Sequence, residues 1–176
     1  MYTIEEHQHR IASWAAARAV RGVLGATVER CRSVMERCGI NREFGVTQLE
    51  DTADGFDRQH SVICDAMINA ANTDKLSISY GVAAKWLNVY LKIRFVCGPD
   101  HNGPRIGFIH PPIDRLLLNR LAQERWGGNP EVWRKYVTIG WKSFSSDDYQ
   151  GLIAHLRRHL KDEPFWTVER YWRGHD

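Results

Sequence analysis

The chain has 176 residues, 43% of them hydrophobic and 26% charged, values that suit one folded domain spanning 1–176 and exclude a disordered chain. Its apolar stretches are broken by charge well before the ~18 residues a membrane-spanning helix needs, and no phosphate loop, nucleophile elbow or dinucleotide-binding glycine pattern occurs. The net charge of +3 is unevenly spread: residues 1–74 carry 8 basic and 11 acidic side chains, residues 75–135 carry 10 and 4, and residues 136–176 carry 6 of each.

The opening MYTIEEHQHR is polar and acidic, unlike a secretory leader. Thr3 and Glu6 have the spacing of a capping box, and Ile4, Ile11, Trp14, Ala15 and Ala19 recur at helical spacing. They predict a helix over 4–22 with those residues inward, closed by Gly22 and Gly25. Thr27 caps a second helix, with Val28, Cys31, Val34 and Met35 inward, ending near Gly39. Residues 41–55 lack periodicity and read as a connection. A third helix is expected over 56–71 on Phe56, Val62, Ile63, Met67 and Ala70. After a break at 77–80, residues 82–96 are apolar at nearly every position except Lys85, Asn88, Lys92 and Arg94, which predicts a helix buried almost all round.

A loop rich in Gly, Pro and His follows over 97–112. Pro111 and Pro112 then deliver Asp114 to a helix start ahead of Leu116, Leu117, Leu118 and Leu121. The Trp- and Gly-rich stretch 126–146 predicts a short helix around 130–137. Asp147 or Asp148 starts a helix through Leu160, and Pro164 opens a last one to about Trp172. No segment alternates as a strand does, so the fold class is mainly α. The cysteines at 31, 38, 64 and 97 form no C-x-x-C pair or metal-binding spacing. Reduced thiols in a cytoplasmic protein, with no metal and no cofactor, are the expectation. His7 and His9, two apart on a helix, share no face; His155 and His159 share one, but beside Arg157 and Arg158 it reads as a solvated basic surface.

Two residues carry the chemistry. Lys85 lies in the first turn of the buried helix, where the helix dipole and apolar neighbours favour the neutral, nucleophilic amine. Asp114 stands at another helix start. An amine and a carboxylate converging on one pocket can attack a sugar carbon and stabilise the cation that develops there. Simpler readings stand beside this one: Lys85, Asn88 and Lys92 as a polar stripe, and Asp114 as a helix cap. Both residues fall in the basic middle third, which is either a solubilising surface or a face for a phosphate backbone.

The segment Gly81-Val82-Ala83-Ala84-Lys85-Trp86-Leu87-Asn88-Val89, with Pro112-Ile113-Asp114-Arg115 downstream, resembles the helix-hairpin-helix DNA glycosylases, the superfamily of endonuclease III and 8-oxoguanine glycosylase. The resemblance covers about 76–122. The chain differs from the family pattern at Ala83, where the family has its second hairpin glycine, and at Tyr80, where it has proline; cluster-binding cysteines are absent. The resemblance implies an all-helical glycosylase-like domain that excises a base from duplex DNA. Lys85 would be its Schiff-base nucleophile and Asp114 the assisting carboxylate. Gly81 and Val82 would hold a DNA phosphate through backbone N–H groups. Substrate contacts would come from Arg115 and from aromatic candidates for stacking on a flipped base: Trp86, Phe108, His110, Phe165, Trp166 and Trp172. The competing expectation is a non-catalytic helical module that binds nucleic acid or protein.

Overall fold

In the computed structural model, which describes residues 1–25, 27–99 and 101–174, the chain is mainly α. Among the described residues are seven α-helices and no strand: α1 (Ile4–Leu24), α2 (Val28–Arg37), α3 (Ala53–Thr73), α4 (Tyr80–Leu91), α5 (Arg115–Gln123), α6 (Pro130–Ile139) and α7 (Ser146–Leu160). Short 3-10 segments join several of them. None of these helices is long and apolar enough to cross a membrane.

The fold is organised around α4, which packs against α1, α3 and α7 while α5 packs on α6. As its composition demands, α4 is buried nearly all round, with Val82, Ala83, Ala84, Trp86, Leu87, Tyr90 and Leu91 inside. It begins two residues earlier than the periodicity suggests, because Ser79 Oγ accepts the Val82 N–H and so caps it. Past Leu91 the helix widens into a π turn, Lys92–Val96, in which the Cys97 N–H reaches the Lys92 carbonyl. That turn points Arg94 inward. The buried guanidinium donates to the carbonyls of Glu5, Arg42 and Phe44, so one cation ties the start of α1 and the 42–44 connection to its own segment.

The inward face of α1 is a different one from that expected. Ala12, Ser13, Ala16, Ala17 and Val20 are buried, whereas Ile4, Ile11 and Trp14 are 63%, 48% and 53% exposed. Both sets recur at helical spacing. Small residues win because α1 packs along α4, and a face of small side chains lets the helix backbones approach closely. The helix also runs through Gly22 and ends only at Gly25, whose φ of +57° breaks it.

Three other elements differ from expectation at their ends. Thr52 caps α3 through the Gly55 N–H, so that helix starts at Ala53, and Val62 on its outer face is exposed. Ser145, not an aspartate, caps α7, in a reciprocal box where Asp148 accepts the Ser145 N–H. The last segment, Phe165–Tyr171, is a 3-10 helix. The short helix expected around 130–137 is present as α6, and Asp114 caps α5 with Oδ1 accepting the Leu117 N–H at 3.0 Å.

Candidate functional site

Lys85 and Asp114, 29 residues apart, meet. Lys85 stands in the second turn of α4, and its Nζ lies 3.3 Å from Asp114 Oδ2, with both side chains largely covered. The chain reaches this geometry because Asn88, one turn further along α4, donates to the Pro111 carbonyl and ties down the segment that leads into Asp114. Two indoles complete the surroundings. The Trp141 ring centroid is 4.4 Å from Lys85 Nζ, and Trp172 Nε1 donates to Asp114 Oδ2 at 3.1 Å. The amine is therefore met by a carboxylate and a ring face, not by the aliphatic surroundings its sequence context suggests. Asp114 is a helix cap and a lysine partner at once.

A second pair lies alongside. Lys92, seven residues after Lys85 on the same helical face, binds Glu169. Burial pushes the Glu169 carboxyl upward; the Lys92 charge opposes that shift and nearby Asp114 adds to it. Sequence reasoning missed Glu169. Its one signal was the spacing of the two lysines, which asks for two carboxylates to cover a buried face.

The other candidate residues scatter. The Gly81 N–H donates to the Phe144 carbonyl and the Val82 N–H to Ser79 Oγ, so neither amide is available to a phosphate in this fold. Trp86 is wholly buried and its indole N–H has no hydrogen-bond partner among the described residues, so it is a core residue here and not a stacking platform. Phe108, Phe165 and Trp166 line a concavity of about 460 Å³ together with Arg157 and Pro164. Arg115 lines a different one, of about 560 Å³, that includes Trp141 and Lys142.

His110 is wholly buried in a polar network that joins α3, α4 and α7. The network has a single consistent direction. His60 Nε2 donates to Asn88 Oδ1 (2.8 Å), Asn88 Nδ2 to the Tyr149 hydroxyl (2.8 Å), that hydroxyl to His110 Nδ1 (3.2 Å), and His110 Nε2 to Asp57 (2.9 Å). Asn88 cannot be flipped in this scheme, because its amide nitrogen also faces the Pro111 carbonyl. Burial, and then the neighbouring His110, push His60 down to about 3; burial also lowers His110 against the pull of Asp57. Both rings are thus neutral donors near neutral pH, and every polar atom along the path from His60 Nε2 to Asp57 is satisfied.

No family model, curated protein or solved structure matches this chain. Its function is therefore argued from the site alone. The histidines expected on a solvated face are instead packed: the His155 and His159 rings are 4.6 Å apart, His155 lies against Trp133 and His159 against Trp126. These ring contacts, to Trp133 of α6 and to Trp126 of the short segment before it, take the place of solvent around both imidazoles. His7 binds the Tyr2 hydroxyl while buried His9 binds Tyr90 and Glu36, so the two serve different partners. Among the described residues no group of three or more His, Cys, Asp or Glu side chains could hold a metal ion.

Part of the basic surplus in 75–135 is already engaged within the fold. Lys85, Lys92, Arg94 and Arg105 are committed to carboxylates or backbone carbonyls, which leaves Arg115, Arg125, Arg134 and Lys135 exposed on and around α5 and α6. Asp57 gives a pH prediction. Burial alone would raise its carboxyl, but hydrogen bonds from Arg157 and His110 reverse this and hold it well below the usual carboxylate range. A lowered native value contributes stability that is present above about pH 4 and is lost as pH falls toward the native value. The stability gap between the wild type and Asp57→Asn, measured by urea denaturation, should therefore narrow steadily from pH 5 to pH 2.5. A gap that stays constant would show that the Asp57 charge is not what holds Arg157 and His110.

Proposed function

We propose that this chain acts on nucleic acid, with duplex DNA as the substrate, as a base-excision N-glycosylase with abasic-site lyase activity on a glycosylase-like helical framework. The observation that carries the reading is the 3.3 Å approach of Lys85 Nζ to Asp114 Oδ2, an amine and a carboxylate from distant segments beside exposed Arg115 and Lys142. A cytoplasmic setting accords with it, since all four cysteines are free thiols.

Each residue has a task in this reading. The target nucleotide leaves the stack at a cost of a few kcal/mol. Lys85 sheds a proton, for which Asp114 is the acceptor within reach, and its lone pair bonds to C1′ of the sugar. The bond from C1′ to the base breaks, and the base departs with that electron pair and takes up a proton. Asp114, again a carboxylate, faces the positive charge that develops on the sugar. Ring opening leaves an imine to Lys85. Loss of the C2′ proton then expels the 3′ phosphate.

Trapping tests the reading. Incubation with duplexes carrying 8-oxoguanine, uracil, an alkylated base or an abasic site, followed by borohydride, should yield a covalent protein–DNA band that Lys85→Ala abolishes. Asp114→Asn should slow its formation by about 10²–10⁴-fold. A second reading, a DNA-binding module without chemistry, is favoured by a specific observation: Asp114 already takes the Leu117 N–H, Lys85 and the Trp172 indole. Its signature is no covalent band on any of the four duplexes, with Lys85→Ala binding them as tightly as the wild type.

A further inference from the structure

Between the start of α5 and the end of α6, the 141–143 segment helps enclose the concavity of about 560 Å³, a volume in the range of small-ligand sites. Its composition is divided. Leu118 and Val137 give it an apolar lining, Trp141 contributes an indole, and Arg115 and Lys142 bring two cations. Both cations are exposed, and neither has an ion-pair partner among the described residues. This contrasts with Lys85, Lys92 and Arg94, whose charges are all met. The same indole that lines the concavity has Lys85 Nζ 4.4 Å from its ring centroid, so a ligand seated here lies next to the Lys85–Asp114 pair.

The exposed edge of Trp141, which is 9% exposed, beside two cations without a carboxylate partner, Lys142 lying 5.8 Å from the indole centroid, fits a ligand that is flat and apolar at one end and anionic at the other. We propose that this concavity seats one nucleotide unit of a strand, with its phosphate between Arg115 and Lys142 and its base against Trp141. The unit is a neighbour of the one whose sugar reaches Lys85. The inference rests on the nucleic-acid reading above and adds the contacts that set strand position. Inorganic phosphate or a phosphopeptide would satisfy the cations but leave the indole unused.

The test is binding of the full chain to fluorescently labelled single strands over a salt series, read by anisotropy. Two strands are compared: twelve thymidines, and twelve abasic tetrahydrofuran units with the same phosphates. Arg115→Ala combined with Lys142→Ala should weaken both by about tenfold or more, and make the salt dependence of log Kd shallower by about 0.7 for the one phosphate no longer neutralised. Arg18→Ala with Arg58→Ala, which removes equal charge from residues that do not line the concavity, should leave the salt slope unchanged. Trp141→Leu should weaken the thymidine strand by about tenfold and the abasic strand by less than twofold. Equal loss on both strands, or an unchanged salt slope in the Arg115/Lys142 variant, overturns the seat. Borohydride trapping of the wild type at saturating DNA separates this from the catalytic reading. Wild-type protein that binds as described but never traps overturns the chemistry while the seat stands.

Discussion

Replacing Asn88 with leucine is expected to destabilise the fold by about 4 kcal/mol, close to the largest effect of a single core substitution. The side chain is wholly buried and bonded to His60, Tyr149 and the Pro111 carbonyl. Leucine fills a similar volume but leaves the His60 N–H and the Pro111 carbonyl unpaired, each worth about 1–3 kcal/mol, and frees Tyr149 from its donor. In a chain of this size the thermal midpoint should fall by about 8–16 °C. Asn88→Asp offers a second measurement. It keeps the acceptor for His60 but sets a carboxylate oxygen against a carbonyl, so it should also destabilise strongly, and less so at low pH where the carboxyl is protonated. The substitution reaches the site too, since the Asn88 bond to Pro111 fixes the approach to Asp114. A loss under about 1 kcal/mol for Asn88→Leu would mean that the network is satisfied in some other way.

Gly81→Ala is the second substitution expected to have a large effect. A methyl group at this position would stand 1.9 Å from the Trp141 carbonyl oxygen and 2.9 Å from Phe144 Cβ. The obstacle is mainly backbone, which cannot swing aside as the end of a long side chain can. Either α4 or the 141–144 segment must move, at a cost of about 3 kcal/mol or more. Gly22→Ala provides the control: nothing lies within 4 Å of its added methyl, and the residue sits within α1. There alanine should be neutral or stabilising by up to about 1 kcal/mol. Comparable melting temperatures for the two variants would show that α4 and the 141–144 segment do not meet as closely as described. The glycine that the glycosylase resemblance offered as a phosphate cradle thus serves first as a point of close approach inside the fold.

The site was legible only in part. Lys85 and Asp114 could be singled out because charged groups at the start of apolar helices are rare enough to need partners. That the partner of each is the other follows from the Asn88–Pro111 contact, and no local spacing encodes it. Glu169 and Trp141 carry ordinary local signals, those of a 3-10 turn and a Trp-rich connection. They matter because the chain brings them to Lys85 of α4 and to Lys92 in the π turn that follows it. His110 shows the reverse case. Its place between a loop and two prolines suggests an accessible side chain, yet Asp57 and Tyr149 draw it wholly inside, because a ring with two hydrogen-bonding nitrogens can be buried where both find partners.

What the sequence by itself determined was the mainly α class, the location of most helices and the thorough burial of α4, because apolar period and capping residues act locally. It also set the surplus of cations in 75–135. Only the tertiary structure decided which face of α1 turns inward, since Ile4–Ile11–Trp14 and Ala12–Ala16–Val20 share a period and differ in how closely each lets α1 approach α4. It likewise decided which of the cations face solvent. Lys85, Lys92, Arg94 and Arg105 are drawn to carboxylates and carbonyls from far along the chain, while Arg115, joined by Lys142 from beyond that stretch, is left beside a concavity. Periodicity gives a helix its stripe, but shape and charge on its neighbours choose where that stripe goes.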